Sequence, residues 1–387
     1  MDTGQSDQWD RAGSLEGGRR WDPATGVNTP TISVVITVLN DAAGCEALLN
    51  ALGEQTRTPD EIVFVDGGST DQTRECIRTA TRQMRQLRLI ELPGANISRG
   101  RNVGIAAARG DVIALTDCGC RPAADWLHEL TQPFRLNANV RWVGGAYSID
   151  PHSLFERVVG LATMRGQLDP IDPKTFNPSA RSMAFFKATW RRAGGFPEWL
   201  YTAEDTLFDV KLRRMGVAMH LAPRAVVAWR PRSTWRALAR QFYFYGRGGG
   251  HARLGARNSC YNIRNAILLL LTIPLGLLKP SLWLLAALVG AYFFICPWHG
   301  KCFRIARQVR SGRAYVIALA THWVVAMSDA IGYIAGSVQR GLYPRRYHRT
   351  MIQYLNPAPA SDGPLSFKRP PTADSIGCGE GRLGDAP

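Results

Sequence analysis

Residues Glu91–Arg121 read ELPGANISRGRNVGIAAARGDVIALTDCGCR, and this stretch decides the fold. It predicts a loop, a helix over about Ser98–Arg109 and a buried strand over Asp111–Thr116, because the last run is apolar with a β-branched bias. Gly110 follows the helix, as is typical just past a helix C-terminus. Asp117 comes where the strand ends, at the edge where open α/β sheets bind their ligands.

Two arginines, Arg99 and Arg101, lie in the first turn of this predicted helix. A helix N-terminus favours an anion, so we expect one carboxylate and two guanidiniums to meet at one edge. This set suits a metal-bridged diphosphate, in which Asp117 binds the cation and the arginines bind the phosphates. The alternative is an Asp that caps the next segment and arginines on a solvated helix face, and this stretch alone leaves both open.

The composition limits the class of protein and its compartment. The chain has 387 residues and a net charge of +16, which indicates an anionic partner such as phosphorylated substrates, an acidic membrane leaflet or nucleic acid. Its 8 cysteines form no paired motifs at zinc-ligand spacing, so we expect free thiols in a reducing compartment. Residues 1–30 are polar and lack the apolar segment of a signal peptide. We expect them to be disordered and the bulk of the chain to stay in the cytoplasm.

Apolar runs of strand length alternate with helical patterns along the first part of the chain. Ser69 or Thr70 is expected to cap one of the helices, which would run to about Arg85. This alternation predicts an α/β domain with a mostly parallel sheet covered on both faces, and it puts Asp66 and Asp117 at the same edge. The predicted strands are Ile32–Val38, Glu61–Asp66 and Leu87–Leu92, and the first predicted helix is Ala42–Glu54.

Four motifs within Ile32–Trp126 together resemble family 2 glycosyltransferases, which have the GT-A fold: ISVVITVLND, VDGGSTD, SRGRNVGIAAARGD and LTDCGC. No G-x-G-x-x-G follows the first strand, which disfavours a dinucleotide-binding domain. The resemblance implies a Rossmann-like GT-A domain that binds a UDP- or GDP-sugar. The residues that it implies for nucleotide-sugar binding are Val38, Asn40, Asp66, Gly67, Arg99, Arg101, Asp117, Gln241 and Arg247.

Two positions depart from the pattern of that family. Gly67 stands where the family commonly has a base-contacting Asp, and Gly119 stands where the family's D-x-D motif has its second carboxylate. Both variants resemble a subset of these enzymes. A divalent metal, Mg²⁺ or Mn²⁺, is the implied cofactor, and Asp117 is its one predicted protein ligand, since Mg²⁺ keeps several waters and uses one or two carboxylates plus substrate phosphates.

A second candidate region runs over Ser179–Gly216, after a predicted antiparallel or edge strand at Val140–Ile149. Thr202 or Ala203 is expected to open a helix whose first turn carries Glu204 and Asp205. Acidic residues there can simply offset the helix dipole. The segment also resembles the acceptor region of family 2 enzymes, whose E-D motif supplies the catalytic base. The resemblance implies catalytic roles for Asp205 and Glu204, and one base with direct displacement implies inversion at the anomeric carbon.

The segment Leu238–Arg257 carries Gln241, Tyr245 and Arg247 where related enzymes have a Q-x-x-R-W or Q-Y-x-x-Y-G-R-G element beside the active site. The departure from Q-x-x-R-W favours a non-processive enzyme. The glycine-rich part, which includes His251, can be interpreted as a hinge or an interfacial loop. Its arginines and this histidine then face lipid phosphates, the donor diphosphate or only solvent.

Three apolar segments follow. Ile263–Leu278 and Ser281–Trp298 predict two short membrane helices, with a buried soluble hairpin as the alternative. Basic residues recur between His299 and Arg313 and predict a basic helix on an anionic leaflet, which puts this side in the cytoplasm. Ala314–Val338 predicts a third transmembrane helix or an amphipathic one. The tail from about residue 356 is rich in Pro, Gly and Ser, which predicts disorder.

The prediction is therefore an α/β GT-A domain with C-terminal membrane helices. We divide the chain into residues 1–30, a glycosyltransferase domain at 31–257, a membrane module at 258–350 and a tail at 351–387. The resemblance to the succinoglycan-type subset implies transfer of a sugar to a lipid-linked saccharide in surface polysaccharide synthesis, at the inner or plasma membrane. A polyprenyl-phosphate glycosyltransferase and a non-catalytic membrane scaffold remain as alternatives. Nucleic acid is disfavoured as a partner, since the chain has no nucleic-acid motif.

Overall fold

The computed structural model describes residues 20–22 and 27–356. Strands β1 (Arg20–Asp22) and β2 (Val27–Thr29) pair with each other antiparallel, so part of the predicted disordered N-terminus is a two-stranded ribbon. The rest of that prediction, and the predicted disorder beyond residue 356, lie outside the described residues.

One mixed sheet of eight strands forms the centre of the described chain. Its order is β5-β4-β3-β6-β9-β8-β10-β7. The first four of these strands run parallel to one another, β9 is antiparallel to both of its neighbours, and β8 and β10 are parallel. The strands are β3 (Ile32–Val38), β4 (Glu61–Asp66), β5 (Leu87–Glu91), β6 (Val112–Leu115), β7 (Cys120–Pro122), β8 (Trp142–Ile149), β9 (Met183–Phe186) and β10 (Met219–Trp229).

Helices cover both faces of this sheet, which confirms the predicted fold class. Those of the first half of the chain are α1 (Ala42–Gly53), α2 (Thr73–Gln83), α3 (Ile97–Ala107), α4 (Trp126–Leu136) and α5 (Leu154–Thr163). Those of the second half are α6 (Lys187–Ala193), α7 (Glu204–Arg214), α8 (Trp235–Ala252), α9 (Ala256–Leu278), α10 (Trp283–Gly290), α11 (Cys296–Val309), α12 (Gly312–Leu342) and α13 (Thr350–Leu355).

The central strands are mostly apolar because both of their faces are buried. In β3, Ile36 packs into the core cluster that holds Leu48 and Trp126 from α1 and α4. The preceding residue, Val35, points to the opposite face of the sheet, where it packs into a second core cluster with Ile105 of α3 and Phe208 of α7. The sheet therefore holds the loops that follow its strands in fixed positions along one edge.

One local prediction was wrong, and in another only one of two alternatives was right. Neither Ser69 nor Thr70 caps α2, which begins at Thr73 after Gln72 without a side-chain cap. The Ser69 hydroxyl donates to the buried carboxylate of Asp66 instead, because that carboxylate has a stronger need of donors than a solvated helix end. Strand β8 is indeed antiparallel to β9, but it lies inside the sheet between β9 and β10 rather than at an edge.

The glycine-rich segment is helical, so the prediction of a hinge or loop was wrong. It forms the second half of α8, which packs against α12 over a long contact. A Cβ added at Gly246 would lie 2.0 Å from the carbonyl oxygen of Asp329, and one added at Gly332 would lie 2.0 Å from that of Tyr243. The glycines are therefore where two helix backbones touch.

Helix α12 also contacts the catalytic domain at its other end. Ala314 and Ala318 share a core cluster with Val158 and Leu161 of α5. One long helix thus lies along both α5 and α8. Other apolar side chains of α12 are exposed, namely Val316, Trp323, Ile331, Ile334, Val338 and Leu342.

Two described helices are long and apolar enough to cross a membrane, Ala256–Leu278 and Gly312–Leu342. The segments Pro280–Phe293 and Cys296–Val309 would make a third crossing if the pair, bent by 57°, is one span. Apolar side chains point outward along α9 and α10, including Leu271, Leu278, Leu284 and Leu288. Membrane association is consistent with this surface.

The basic helix α11 differs from its prediction. It ends at Val309 rather than continuing to Arg313, with Arg310 in the left-handed conformation at its end. Lys301 and Arg304 turn toward the catalytic domain, where Lys301 Nζ donates to the carbonyl of Ala162 (2.7 Å) and Arg304 pairs with Asp169. Only part of the basic face is therefore free to meet a leaflet. The Arg304 pair has two bonds, at 2.6 and 3.2 Å.

Candidate active site

The ends of β3 and β4 form the first half of the site. The Gly67 N–H donates to the carbonyl of Val38 (2.9 Å), and the Thr70 N–H donates to Oδ1 of Asn40 (2.8 Å). Asp66 is fully buried and accepts the N–H of Gly68 (3.0 Å). Asn40 takes a positive φ of 52° to reach this arrangement. The structure thus brings together four predicted nucleotide-binding positions, at the carboxyl ends of adjacent strands.

A buried arginine joins the two halves of the site. Arg101 donates from Nη2 to Oδ1 of Asp117 (2.9 Å) and from Nη1 to Oε1 of Glu204 (2.6 Å). Its side chain is only 4% exposed. Burial alone lowers the pKa of Arg101, but the charges of Asp117 and Glu204 outweigh it and raise that pKa. The guanidinium of Arg101 is therefore enclosed by two carboxylates of the protein.

Arg99, the other predicted arginine, is half-buried two residues before Arg101 in α3. Its backbone N–H donates to Oδ1 of Asn96, the residue that caps the helix. The first turn of α3 therefore carries one arginine turned inward to two carboxylates and one left at the partly exposed helix start.

Arg181, which the sequence did not single out, lies on the other side of Asp117. Its Nε is 3.6 Å from Oδ2 of Asp117, and its guanidinium lies over the ring of Trp229 at 4.7 Å. Burial lowers the pKa of Arg181, while Tyr245 and Asp117 raise it to a net value above the ordinary one. It is a fixed cation beside the carboxylate at the end of β6. The antiparallel pairing of β9 with β6 brings it there, and no local pattern signals that pairing.

Glu204 and Asp205 open α7, after Ala203 in the left-handed conformation. Glu204 is buried, and burial, with the charge of Asp205, raises its pKa to about 7 despite the opposing Arg101. Asp205 is half-exposed, and its Oδ1 accepts the N–H of Thr206 (2.7 Å). The two carboxylates therefore have different surroundings: Glu204 is bound to Arg101, whereas Asp205 keeps one oxygen available to a ligand.

The two predicted residues of α8 have different surroundings. Gln241 Nε2 donates to the hydroxyl of Tyr245 (2.9 Å), and Arg181 Nη2 donates to the same hydroxyl (3.3 Å). Gln241 is thus linked to the site through Arg181. Arg247 donates from Nε to Oε1 of Gln339 in α12 (3.0 Å). Arg247 is thus bound to α12, and the described contacts do not join it to Asp117 or Arg101.

The residues around Asp117 fit a cation that takes most of its ligands from a substrate. Within residues 20–22 and 27–356, no group of three or more His, Cys, Asp or Glu side chains could hold a metal on its own. The space beside Gly119 is open, however, and Oδ2 of Asp41 lies 3.6 Å from where a Cβ of residue 119 would be. Asp41 is therefore a candidate second carboxylate, beside Asp117, for a cation whose other ligands would be phosphate oxygens and water.

Fold and site together define an α/β domain with a charged edge: a mixed sheet with carboxylates and arginines gathered at the carboxyl ends of its strands. Residues 33–190 match the family model described as Glycosyl transferase family 2. This segment is therefore a family 2 glycosyltransferase domain, which confirms the predicted resemblance to that family.

The chain is similar to named proteins over different lengths. Glycosyltransferase AglE of Haloferax volcanii is 36% identical over 101 residues, which cover 25% of this chain and 33% of that protein. Pre-mycofactocin glycosyltransferase of Mycobacterium tuberculosis is 26% identical over 341 residues, 83% of this chain and 67% of that protein. A mannosyltransferase from Pyrobaculum calidifontis, solved in complex with GDP-Man and Mn²⁺, is 20% identical with a TM-score of 0.47, over 87% of this chain and 93% of that one. The chain thus spans a third of the first relative and two thirds of the second.

Proposed function

We propose that this protein transfers a sugar from a UDP- or GDP-sugar to a hydroxyl of a lipid-linked saccharide, with inversion at the anomeric carbon. The observation that carries the proposal is Arg101, which joins Asp117 and Glu204 although they come from distant parts of the chain. A donor beside Asp117 and an acceptor beside Asp205 would then lie next to each other.

Asp205 is the proposed general base. Thr206 occupies its Oδ1, which leaves Oδ2 to accept the proton of the acceptor hydroxyl as that oxygen attacks. Glu204 is a positioning residue, because it holds Arg101 and does not face an open space. One base and no covalent nucleophile support a single displacement, and hence inversion.

The leaving diphosphate needs positive charge. Arg181 is the nearest fixed cation outside the Arg101 bridge, and Arg99 at the start of α3 can add an N-terminal helix contact. Asp117 and Asp41 would hold a divalent metal, Mg²⁺ or Mn²⁺, which when bound neutralises charge that develops on the diphosphate. Asn40, Asp66 and the residues between them would hold the nucleoside.

The outward-facing apolar residues of α9 and α10 support a membrane-bound enzyme, and a lipid-linked acceptor would stay in that bilayer. The basic residues around these helices favour a cytoplasmic catalytic domain at the plasma or inner membrane. The division into residues 31–257 and 258–350 needs one change, because α12 packs on α5 and α8. We propose that the catalytic unit includes α12.

The test uses membranes that contain the full chain, a panel of UDP- and GDP-sugars, and label tracked into the lipid fraction with and without Mn²⁺. We expect metal-dependent transfer of one sugar. Asp205→Asn should lower kcat by about 10²–10⁴-fold, the usual contribution of a general base, while donor binding persists. Asp125→Asn, at the exposed start of α4 where the side chain makes no cap hydrogen bond, is the control.

The outcomes separate the alternatives. Full activity in Asp205→Asn would favour a lipid phosphate as the acceptor, since a phosphate oxygen needs no base. Failure of the wild-type protein to bind UDP or GDP with Mg²⁺ or Mn²⁺ would favour a non-catalytic scaffold and overturn the proposal.

A further inference from the structure

A cavity of about 230 Å³ lies between the catalytic domain and the first half of α11. Its walls come from the end of α5, the loop over residues 164–176 and Lys301. The wall is part apolar and part polar, and its larger apolar side chains are Leu161, Met164, Leu168, Ile171 and Phe176. The cavity is smaller than the 300–1,000 Å³ typical of pockets for whole small molecules. It therefore accepts only part of a larger ligand.

Two cations line this cavity, Lys301 and Arg165, and both donate to neutral carbonyls. Lys301 is partly buried and donates to the carbonyl of Ala162 (2.7 Å), and Arg165 Nη1 donates to that of Thr175 (3.1 Å). The nearby carboxylate of Asp169 is bound by both nitrogens of Arg304. The other acidic residue of the wall, Asp172, accepts bonds from its own turn. Lys301 and Arg165 thus bring positive charge to a cavity that also has an apolar side.

The cavity lies between the catalytic site and the exposed apolar helices. On one side, the ring of Phe176 is 6.0 Å from that of Tyr147. Tyr147 is partly buried, and this burial raises its pKa, as do the nearby charges of Asp205 and Asp209. On the other side, Lys301 follows Cys296, the start of α11, by little more than one helical turn. The apolar helix α10 ends shortly before that point.

We propose that this cavity binds the phosphate end of the lipid-linked acceptor, with Lys301 paired to a phosphate and the apolar wall against the first part of the lipid chain. That this lipid is the acceptor of the reaction rests on the proposed function, whereas binding of a lipid phosphate in the cavity does not. A phosphate needs a desolvated cation, the lipid chain needs an apolar wall, and a ligand anchored in the bilayer reaches this cavity along α10 and α11. The saccharide beyond the phosphate would then extend past Tyr147 toward Asp205.

The test uses the full chain in nanodiscs and three soluble probes: farnesyl phosphate, farnesol and inorganic phosphate. Binding is measured by isothermal titration, with protein-free discs subtracted. We expect farnesyl phosphate to bind at least tenfold more tightly than either of the other probes, because only it offers both the anion and the chain. Lys301→Gln should remove this preference, and Lys301→Arg should keep most of it.

Arg307→Gln is the matched control, since Arg307 is an exposed basic residue of the same helix. It should bind farnesyl phosphate like the wild type. Equal binding by Lys301→Gln and wild type, or of farnesol and farnesyl phosphate, would overturn the proposal. A second pair of discs, with and without phosphatidylglycerol, tests whether the cavity is a general site for anionic headgroups. Loss of farnesyl phosphate binding in the discs that contain phosphatidylglycerol would also overturn the proposal.

The same variants separate this inference from the proposed function. Lys301→Gln should bind UDP or GDP with Mn²⁺ as the wild type does, and in transfer assays it should raise the KM for the lipid acceptor about tenfold with little change in kcat. Absent nucleotide binding in the wild type would count against the transferase. Unchanged KM for the acceptor in Lys301→Gln would count against the cavity alone.

Discussion

The carboxylates at the carboxyl-end edge of the sheet have different surroundings, because two arginines, Arg101 and Arg181, contact them in different ways. Arg101 binds Asp117 and Glu204 so closely that it acts as a bridge within the protein. Arg181 has a longer contact with Asp117, at 3.6 Å, and is the cation with room to change partner. When a diphosphate arrives, Arg181 is therefore the residue expected to turn from carboxylate to phosphate.

Arg181→Gln should weaken binding of UDP or GDP at least tenfold, because a hydrogen bond to a charged group contributes about 1.5–3 kcal/mol. Binding of the nucleoside without phosphates should not change. Titration calorimetry with nucleotide and nucleoside measures both. Arg224→Gln, which removes a surface pair with Glu129, is the control. A parallel loss of nucleoside binding would show that Arg181 only maintains the fold.

The buried Glu204 predicts a pH dependence of stability. Its folded pKa of about 7 lies above the ordinary value of 4.5, so between these pH values the folded state binds a proton that the unfolded state has released. This contribution to the free energy of unfolding therefore falls as pH rises from about 4.5 to 7. Denaturant unfolding over this range should show the slope, and Glu204→Gln should reduce it. An unchanged slope in the variant would contradict the assignment.

The sequence was informative where a residue's role depends on its own strand or helix end. Asp66, Asp117 and Glu204 come at such ends, and the structure has them there. Arg181 and the partners of Arg101 depend on contacts between segments far apart in the chain, which local periodicity does not encode. The enclosure of Arg101 needed the position of Glu204 in three dimensions.

At the scale of elements, the parallel half of the sheet was predictable because each buried strand is a short apolar run between turn residues. Strand Ile32–Val38 and strand Glu61–Asp66 have their predicted bounds. Helix α8 was not predictable in the same way, because glycine lowers helix propensity. Its glycine-rich half is helical since the backbone of α12 packs directly against it.

This close contact predicts a steep effect of one methyl group. Gly332→Ala should lower the free energy of unfolding by about 1–3 kcal/mol, the usual cost of overpacking, because the new Cβ would lie 2.0 Å from the carbonyl of Tyr243. Gly341→Ala in the same helix meets nothing within 4 Å and should be neutral or raise stability by up to about 1 kcal/mol. Thermal unfolding in detergent compares the two, and equal effects would contradict the packing.

At the scale of the molecule, the exposed apolar helices favour association with a membrane. Replacing Leu270, Leu271 and Leu277 of α9 by Ser should move the protein from the membrane to the soluble fraction. These side chains are 61%, 60% and 73% exposed, in that order, and need lipid to cover them. Flotation with vesicles measures this. Leu136→Ser, at an exposed leucine of α4, should have no effect. Unchanged flotation of the triple variant would contradict membrane anchoring by α9.

The contact between α8 and α12 also orders the events of synthesis. The ribosome makes α8 first, then the apolar helices α9–α11, and only afterwards α12, which covers the glycine face of α8. Until α12 emerges, that face is open to chaperones or to misfolding. On the proposed function, the apolar helices α9–α11 enter the bilayer during this interval. We therefore expect the catalytic unit to be completed only after the nascent chain has reached the membrane.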